Sequence, residues 1–455
     1  MTAHDSDIVV VGAGIVGIAT AYFLSTRHKR RVTILDPNAP MSMTSAASGE
    51  NYRNWWPHRV MTRFTDRSID LMEEIARESD NRLHMTRRGY ALATRRANID
   101  ALIEQLNQGY GTEGAASIRI HEKGKGGAYV PAVDADWQRA PAGVDVLRDP
   151  ATIRAAFPGF DPTVSTILHI RRAGDISGQQ MGQFMLERIR AGGGRLVTAR
   201  LHGVARDKGF VLELRDGAGT RSMRADQLVN AAGPYLAEVA AMLGEKLPVT
   251  TLWQQKIAFE DREAAIPRRT PFAIDLDGQT IAWTDEERAV LAETPSTAWL
   301  TKPMPGGIHC RPDGGDAGRW IKLGWAYNRT PGPVQKEPPL DPQFPDTVLR
   351  GASRLNPSLK AYIGRLPRQH THYGGYYTMT RENWPLIGPM ATPGAFVAGA
   401  LSGFGTMSAC ATGELCAGWI GGGGLPDYAG SLSPARQNDA ALMESLTAAQ
   451  DKGVL

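Results

Sequence analysis

Residues 7–17 read Asp-Ile-Val-Val-Val-Gly-Ala-Gly-Ile-Val-Gly, and the rest of the chain is organised around them. The β-branched run Ile8 to Val11 has the continuous apolar character of a strand buried on both faces. It breaks at Gly12-Ala13-Gly14-Ile15-Val16-Gly17 and passes into an apolar helical pattern from Ile18 to Leu24. In such a turn Gly12 makes the tight bend, Gly14 lets backbone approach a pyrophosphate, and Gly17 lets helix and strand pack closely. The first N–H groups of the new helix, beginning at Ile15 and Val16, face the phosphates together with its positive end. A second hydrophobic strand, Arg31 to Leu35, ends in Asp36, near the ~20-residue spacing at which an acid reads a ribose hydroxyl. This order predicts a dinucleotide site. The acid argues against a 2′-phosphate, hence FAD or NAD rather than NADP.

Working outward, Thr44-Ser45-Ala46-Ala47-Ser48-Gly49-Glu50-Asn51 offers hydroxyl and backbone donors that can follow a phosphate or the edge of a ring system. Thr44, Ser45, Ala47, Ser48 and Gly49 are the candidate cofactor contacts there. Tyr52-Arg53-Asn54-Trp55-Trp56 forms an aromatic and cationic packet, and Met61 to Glu78 has the spacing of an amphipathic helix. A different module follows from 87 to 158, with a strand at Gly89 to Ala93, a helix at Ile99 to Leu106 and a glycine-rich loop around 124–127. A helix is expected at Gln179 to Ala191 and a hairpin or meander over Arg195 to Leu214. The apolar strand before Asn230-Ala231-Ala232-Gly233 reads as the chain returning to the nucleotide-binding sheet. Residues 246–370 predict a mainly antiparallel substrate domain, with strands at Thr297 to Lys302, Gly307 to Cys310 and Trp320 to Trp325. A second glycine-rich loop, Ser402-Gly403-Phe404-Gly405-Thr406, feeds a helix at Met407 to Ile420 and repeats the anion- or carbonyl-binding device of the N-terminus. A polar, partly helical tail follows.

With 455 residues, two domains are expected. The net charge of +4 is too small for this length to suggest nucleic acid as a partner. Three cysteines, Cys310, Cys410 and Cys416, have no metal-ligand spacing and cannot build a disulfide framework, which suits a reducing cytoplasm. No run of ~18 apolar residues is present to span a membrane.

The N-terminal fingerprint, the 44–51 segment, Val204 after Gly203, Asn230-Ala231-Ala232-Gly233, and Pro385-Leu386-Ile387-Gly388 with Ser402-Gly403-Phe404-Gly405 resemble the D-amino acid oxidase superfamily of flavoproteins, in its glycine oxidase and sarcosine oxidase branch. The resemblance runs to about residue 422. It implies an α/β fold, a Rossmann-like FAD-binding domain with a second, mainly antiparallel-sheet substrate domain. It places residues 1–85, 160–245 and 372–425 in the FAD domain, 86–159 and 246–371 in the substrate domain, and 426–455 in a tail. Extended FAD would lie with ADP on Gly12, Gly14, Ile15, Val16, Gly17 and Asp36. Its ring would lie beneath the segment 44–51 and the loop 402–407, with Gly403, Phe404, Gly405, Thr406 and Met407 as contacts there and Val204, Ala231 and Gly233 as further contacts.

Ile321-Lys322-Leu323-Gly324-Trp325 is similar to a strand of monomeric sarcosine oxidases whose lysine sits over the flavin and promotes reaction with dioxygen. Carried over, Lys322 is that cation, and a fixed positive charge would favour the negative charge that builds as oxygen is reduced. The family's flavin-linking cysteine falls on Gly375, so FAD should be noncovalent. A pocket lysine falls on Met407 and a pocket histidine on Ala326. Arg53 is the candidate for an anionic substrate group, which a guanidinium binds bidentately. His309 and Tyr377 are candidates for steering the substrate, and Trp55, Trp56, Tyr377 and Trp384 for lining a larger apolar pocket. The expectation is an FAD-dependent oxidase of a small-molecule amine or amino acid, with dioxygen as partner. The alternatives are a dehydrogenase of an amine or 2-hydroxy acid serving a quinone or carrier protein, or a flavoprotein subunit without its own turnover.

Overall fold

The computed structural model describes residues 6–111, 117–123, 128–132 and 136–448. The loop around 124–127 lies outside them. The motif strand, Ser6–Val11, sits in the middle of an eight-stranded sheet. It pairs in parallel with Val32–Asp36 on one side and with the second half of Gly219–Asn230 on the other. Arg195–Thr198 and Ala395–Gly399 extend the parallel array outward, and Leu386–Pro389 closes it in the antiparallel sense. The expected return of the chain to this sheet is the strand Gly219–Asn230. Its first half splays into an antiparallel meander with Phe210–Asp216 and Arg200–Arg206.

Both faces of the parallel array are covered, so its strands are apolar without alternation. Ile8, Val10 and Ile34 pack into one cluster with the helices, whereas Val9, Val11, Leu35 and Leu228 pack into another on the opposite face. On the first face the helix Ile15–Thr26 lies against Gly405–Gly421, with Arg59–Glu78 beyond. Arg59–Glu78 buries Met61, Phe64, Ile69, Leu71, Met72 and Ile75, the stripe its spacing predicts. Its outward arginines are tied down: Arg63 pairs with Asp427 and Arg67 with Glu414.

The second sheet has nine strands, and all but two of its pairings are antiparallel. Thr166–Ile170 and His370–Met379 are hydrogen-bonded into it, although boundaries at 160 and 372 would group them with the nucleotide-binding segments. The reason is that each is the continuation of a ladder, on Tyr90–Thr94 and on Thr250–Glu260 respectively. The strand expected at Thr297 to Lys302 is instead a 3₁₀ turn, Ala298–Thr301. There Thr297 Oγ1 donates to Leu291 O and Thr301 Oγ1 to Ala298 O, local bonds that compete with extended structure.

The C-terminal segment folds back onto the body. Leu432 and Arg436 are buried, and the Arg436 guanidinium holds Glu382 together with the carbonyls of Trp384 and Pro385. Among the described residues no helix is long and apolar enough to cross a membrane.

Candidate active site

The two sheets enclose one elongated cavity of about 1600 Å³, counting its open mouth. At one end stand Gly12, Gly14, Ile15, Val16 and Asp36. Gly12 has φ +113°, and a Cβ there would lie 2.2 Å from the Ala231 carbonyl oxygen, so no other residue fits the turn. Gly17 does not line the cavity. A Cβ on it would lie 2.0 Å from Gly12 O, so its role is to let the helix seat on the turn. Asp36 accepts from Ala13 N and Asn38 N, each at 2.8 Å. Burial pushes its carboxyl above the usual range, against the pull of those two N–H groups. Remaining lone pairs on its oxygens are available to a ribose.

Residues 44–51 tie the parts of the cavity together. Ser45 Oγ accepts from Ile15 N at 3.0 Å, at the start of the first helix. Thr44 Oγ1 bridges the backbone of Tyr376, and Ser48 Oγ lies 2.8 Å from Thr406 Oγ1 in the second glycine-rich loop. Thr44, Ser45, Ala47, Ser48 and Gly49 all reach the cavity wall, as do Ala231, Gly233, Gly403, Phe404, Gly405, Thr406 and Met407. Gly375 faces this segment, where a Cβ would meet Ala47 Cβ at 3.2 Å. All three cysteines are buried, and none lines the cavity.

The substrate-domain sheet presents one face to the cavity. Cross-strand partners share a face, so Lys256, Gly324, His309 and Ile274 form one rung, with Phe272 and Tyr90 on the next. All of these except Gly324 line the cavity. Gly324 is the gap that admits its neighbours. A Cβ there would stand 2.4 Å from His309 Nε2 and 3.2 Å from Lys256 Cγ. His309 Nδ1 donates to Gly307 O at 3.1 Å, which leaves Nε2 as an acceptor. Burial, reinforced by the Lys256 charge, lowers the His309 pKa to about 4. Tyr377 lines the cavity beside Gly403, and burial pushes its hydroxyl up to about 12.

Arg53 is buried on the wall, its guanidinium 4.9 Å from the Trp56 ring centroid and 5.8 Å from that of Tyr90. Among the expected tryptophans, Trp56 lines the cavity, whereas Trp55 and Trp384 belong to the core.

Besides Gly17, Trp55 and Trp384, two more expected contacts lie off the cavity wall. Val204 sits on the outer meander strand and packs against the apolar cluster under the sheet. Lys322 does not line the cavity. It shares a face with Lys256 but stands one rung further on, where its Nζ lies 3.3 Å from Glu50 Oε2 and 3.3 Å from Asp313 Oδ1. Lys256, which no motif singled out, holds the cavity position instead.

These features fit FAD: glycine turns where a Cβ would clash, an acid at the ribose end, small hydroxyl residues along the middle, and a second glycine loop at the far end. The chain matches the model of a family described as FAD dependent oxidoreductase over residues 7–419. A D-amino-acid oxidase of Streptomyces coelicolor is 35% identical over 78 residues, 16% of this chain and 23% of that enzyme's length. An L-proline dehydrogenase from P. horikoshii superposes with a TM-score of 0.70 at 18% identity, covering 96% of this chain and 98% of the other. A glycine oxidase from Geobacillus kaustophilus gives 0.69 at 16% identity, covering 95% and 98%. At such identities the structural likeness speaks for the fold, while the family match spans nearly the whole chain. The protein belongs to the D-amino acid oxidase (DAO) family of FAD-dependent oxidoreductases.

Proposed function

We propose that this protein oxidises the carbon–nitrogen bond of an amino acid or related amine to an imine, with dioxygen as electron acceptor and hydrogen peroxide as product. Bound FAD supplies the redox chemistry, taking two electrons from the substrate carbon and passing them on. What the chain supplies is recognition and dryness. The buried Arg53 is the observation that carries the reading. A guanidinium on an apolar wall is a site for an anionic group such as a carboxylate. Beside it, Tyr90, Phe272 and Ile274 offer an apolar surface to a substrate side chain and keep water from the reacting atoms. His309 Nε2 can accept a hydrogen bond from the substrate amine. The relatives named above, two oxidases and a dehydrogenase of amino acids by their names, are of this class.

A second reading has a specific observation behind it. With Lys322 committed to Glu50 and Asp313, the cation expected to promote reaction with oxygen is displaced. That favours a dehydrogenase passing electrons to a quinone or carrier protein. Mixing the FAD-loaded protein anaerobically with L- and D-amino acids, N-methyl amino acids and larger amines tests the substrate class through flavin bleaching. Admitting air and assaying peroxide then separates oxidase from dehydrogenase. Without a carboxylate dependence of bleaching, the role given to Arg53 falls.

A further inference from the structure

We infer that Lys256 is the proton acceptor of this site, taking the proton from the substrate's ammonium group before the carbon–nitrogen bond is oxidised. The inference rests on the amine reading above and assigns that site a residue the family motifs do not mark.

The geometry is specific. Lys256 lies on Thr250–Glu260, is buried, and reaches the cavity wall. Among the described residues its Nζ has one hydrogen-bond partner, the Ala47 carbonyl oxygen at 3.2 Å, and no carboxylate pairs with it. A buried ammonium with no anion beside it has lost its hydration without replacement, and that disfavours the charged form. Four elements face the amine. His309 approaches from Ile308–Asp313 across the gap at Gly324. From His370–Met379 come Tyr377, whose ring centroid is 5.7 Å from Nζ, and Tyr373, its cross-strand neighbour. Lys322 lies on the strand between, and Glu50, just past Ala47, is engaged by Lys322 and Arg311. None of these leaves a free negative charge to hold the ammonium.

An amine substrate arrives protonated at neutral pH, and its nitrogen lone pair must be free for the imine to form. In the step inferred here an N–H bond of the substrate ammonium breaks, its electron pair stays on the substrate nitrogen, and the proton bonds to Nζ of neutral Lys256. No electrons are exchanged in this step. Of the two candidate bases in the rung, burial brings Lys256 to about 8 and His309 to about 4. The lysine is therefore the stronger base by orders of magnitude, and His309 remains a neutral hydrogen-bond acceptor.

The test uses the FAD-loaded protein. First, ¹³Cε-lysine is incorporated and the Lys256 resonance, assigned by its loss in Lys256→Met, is titrated without substrate. A midpoint near pH 8 is expected, and a lysine that stays protonated to pH 10 overturns the inference. Second, the limiting rate of flavin reduction is followed against pH by anaerobic stopped flow, using whichever amine of the panel bleaches fastest. Lys256→Met should slow reduction at pH 7 by roughly 10²–10⁴-fold, the usual range for a lost proton acceptor. It should also move the acid limb up to the substrate amine's own ionisation. Lys256→Arg keeps a cation but cannot accept a proton, so it should behave like Lys256→Met. Recovery of the wild-type profile in the arginine variant, or an unmoved limb in Lys256→Met, overturns the inference. If no amine bleaches the flavin, the amine reading fails, and the first measurement still reports separately on Lys256.

Discussion

At the scale of single residues, a buried lysine without an anion is a cost that the fold carries. The Lys256 pKa is lowered by burial, to about 8. The unfolded chain therefore binds the proton more tightly, and the destabilisation is full below about pH 8. Stability regained through this group rises with pH from there to the ordinary lysine range. Lys256→Met should consequently raise Tm at pH 7 by a few degrees while damaging activity, and the gain should vanish near pH 11. Thermal scans across pH check it, and a Tm that falls equally at both pH values contradicts the assignment. Lys322 has the opposite character. Through Glu50, which also accepts from Gly178 N at 2.9 Å, it fixes the segment that lines the cavity. Lys322→Met should weaken FAD binding roughly tenfold, ~1.4 kcal/mol, and slow reduction and reoxidation alike. Flavin-fluorescence titration and stopped flow read this, and selective loss of reoxidation would instead restore the oxygen-promoting role. The two lysines share a sheet face one rung apart, a distinction set by strand register. Spacing along one strand does not carry that information. The place of Arg53 on the cavity wall, by contrast, was legible because a cation embedded among Tyr52, Trp55 and Trp56 marks a buried aromatic packet in the sequence itself.

At the scale of elements, two glycine turns each feed a helix whose first residues line the cavity. The helices Ile15–Thr26 and Gly405–Gly421 then pack on each other. Gly413 permits that approach, since a Cβ there would lie 2.5 Å from the Ala19 carbonyl carbon. Gly413→Val should cost about 1–3 kcal/mol by overpacking, lowering Tm and loosening FAD at both ends of its site. Unaltered thermal unfolding would show that the helices can separate freely. The glycine turns, the parallel strands and the helix of Arg59–Glu78 were readable because each depends on a local pattern of period or turn chemistry. Gly413 was not, because close helix packing is a tertiary demand on a residue that looks locally neutral. The 3₁₀ turn at Ala298–Thr301 was missed for a related reason: its threonines favour strands by propensity but are spent on backbone carbonyls.

At the scale of the whole molecule, the cavity exists only between the two sheets, and the C-terminal segment braces one of its walls. Arg436 clamps the turn 382–385, next to Asn383 on the wall. Breaking this buried pair with Arg436→Met should destabilise the protein by about 3–5 kcal/mol. The double variant with Glu382→Leu should recover part of that, which thermal unfolding of the set measures. Polar composition made this segment read as a tail, since one buried arginine cannot be told from solvated ones without its partner. The central reading, oxidation of an amino acid by an FAD enzyme with Arg53 holding the carboxylate, is tested most directly by anaerobic flavin reduction. Wild-type protein should be bleached by at least one amino acid and far less by the corresponding decarboxylated amine. Arg53→Ala should erase that preference, with a loss equivalent to roughly 2–5 kcal/mol. Bleaching that ignores the carboxylate, or a flavin that no amine reduces, would contradict it.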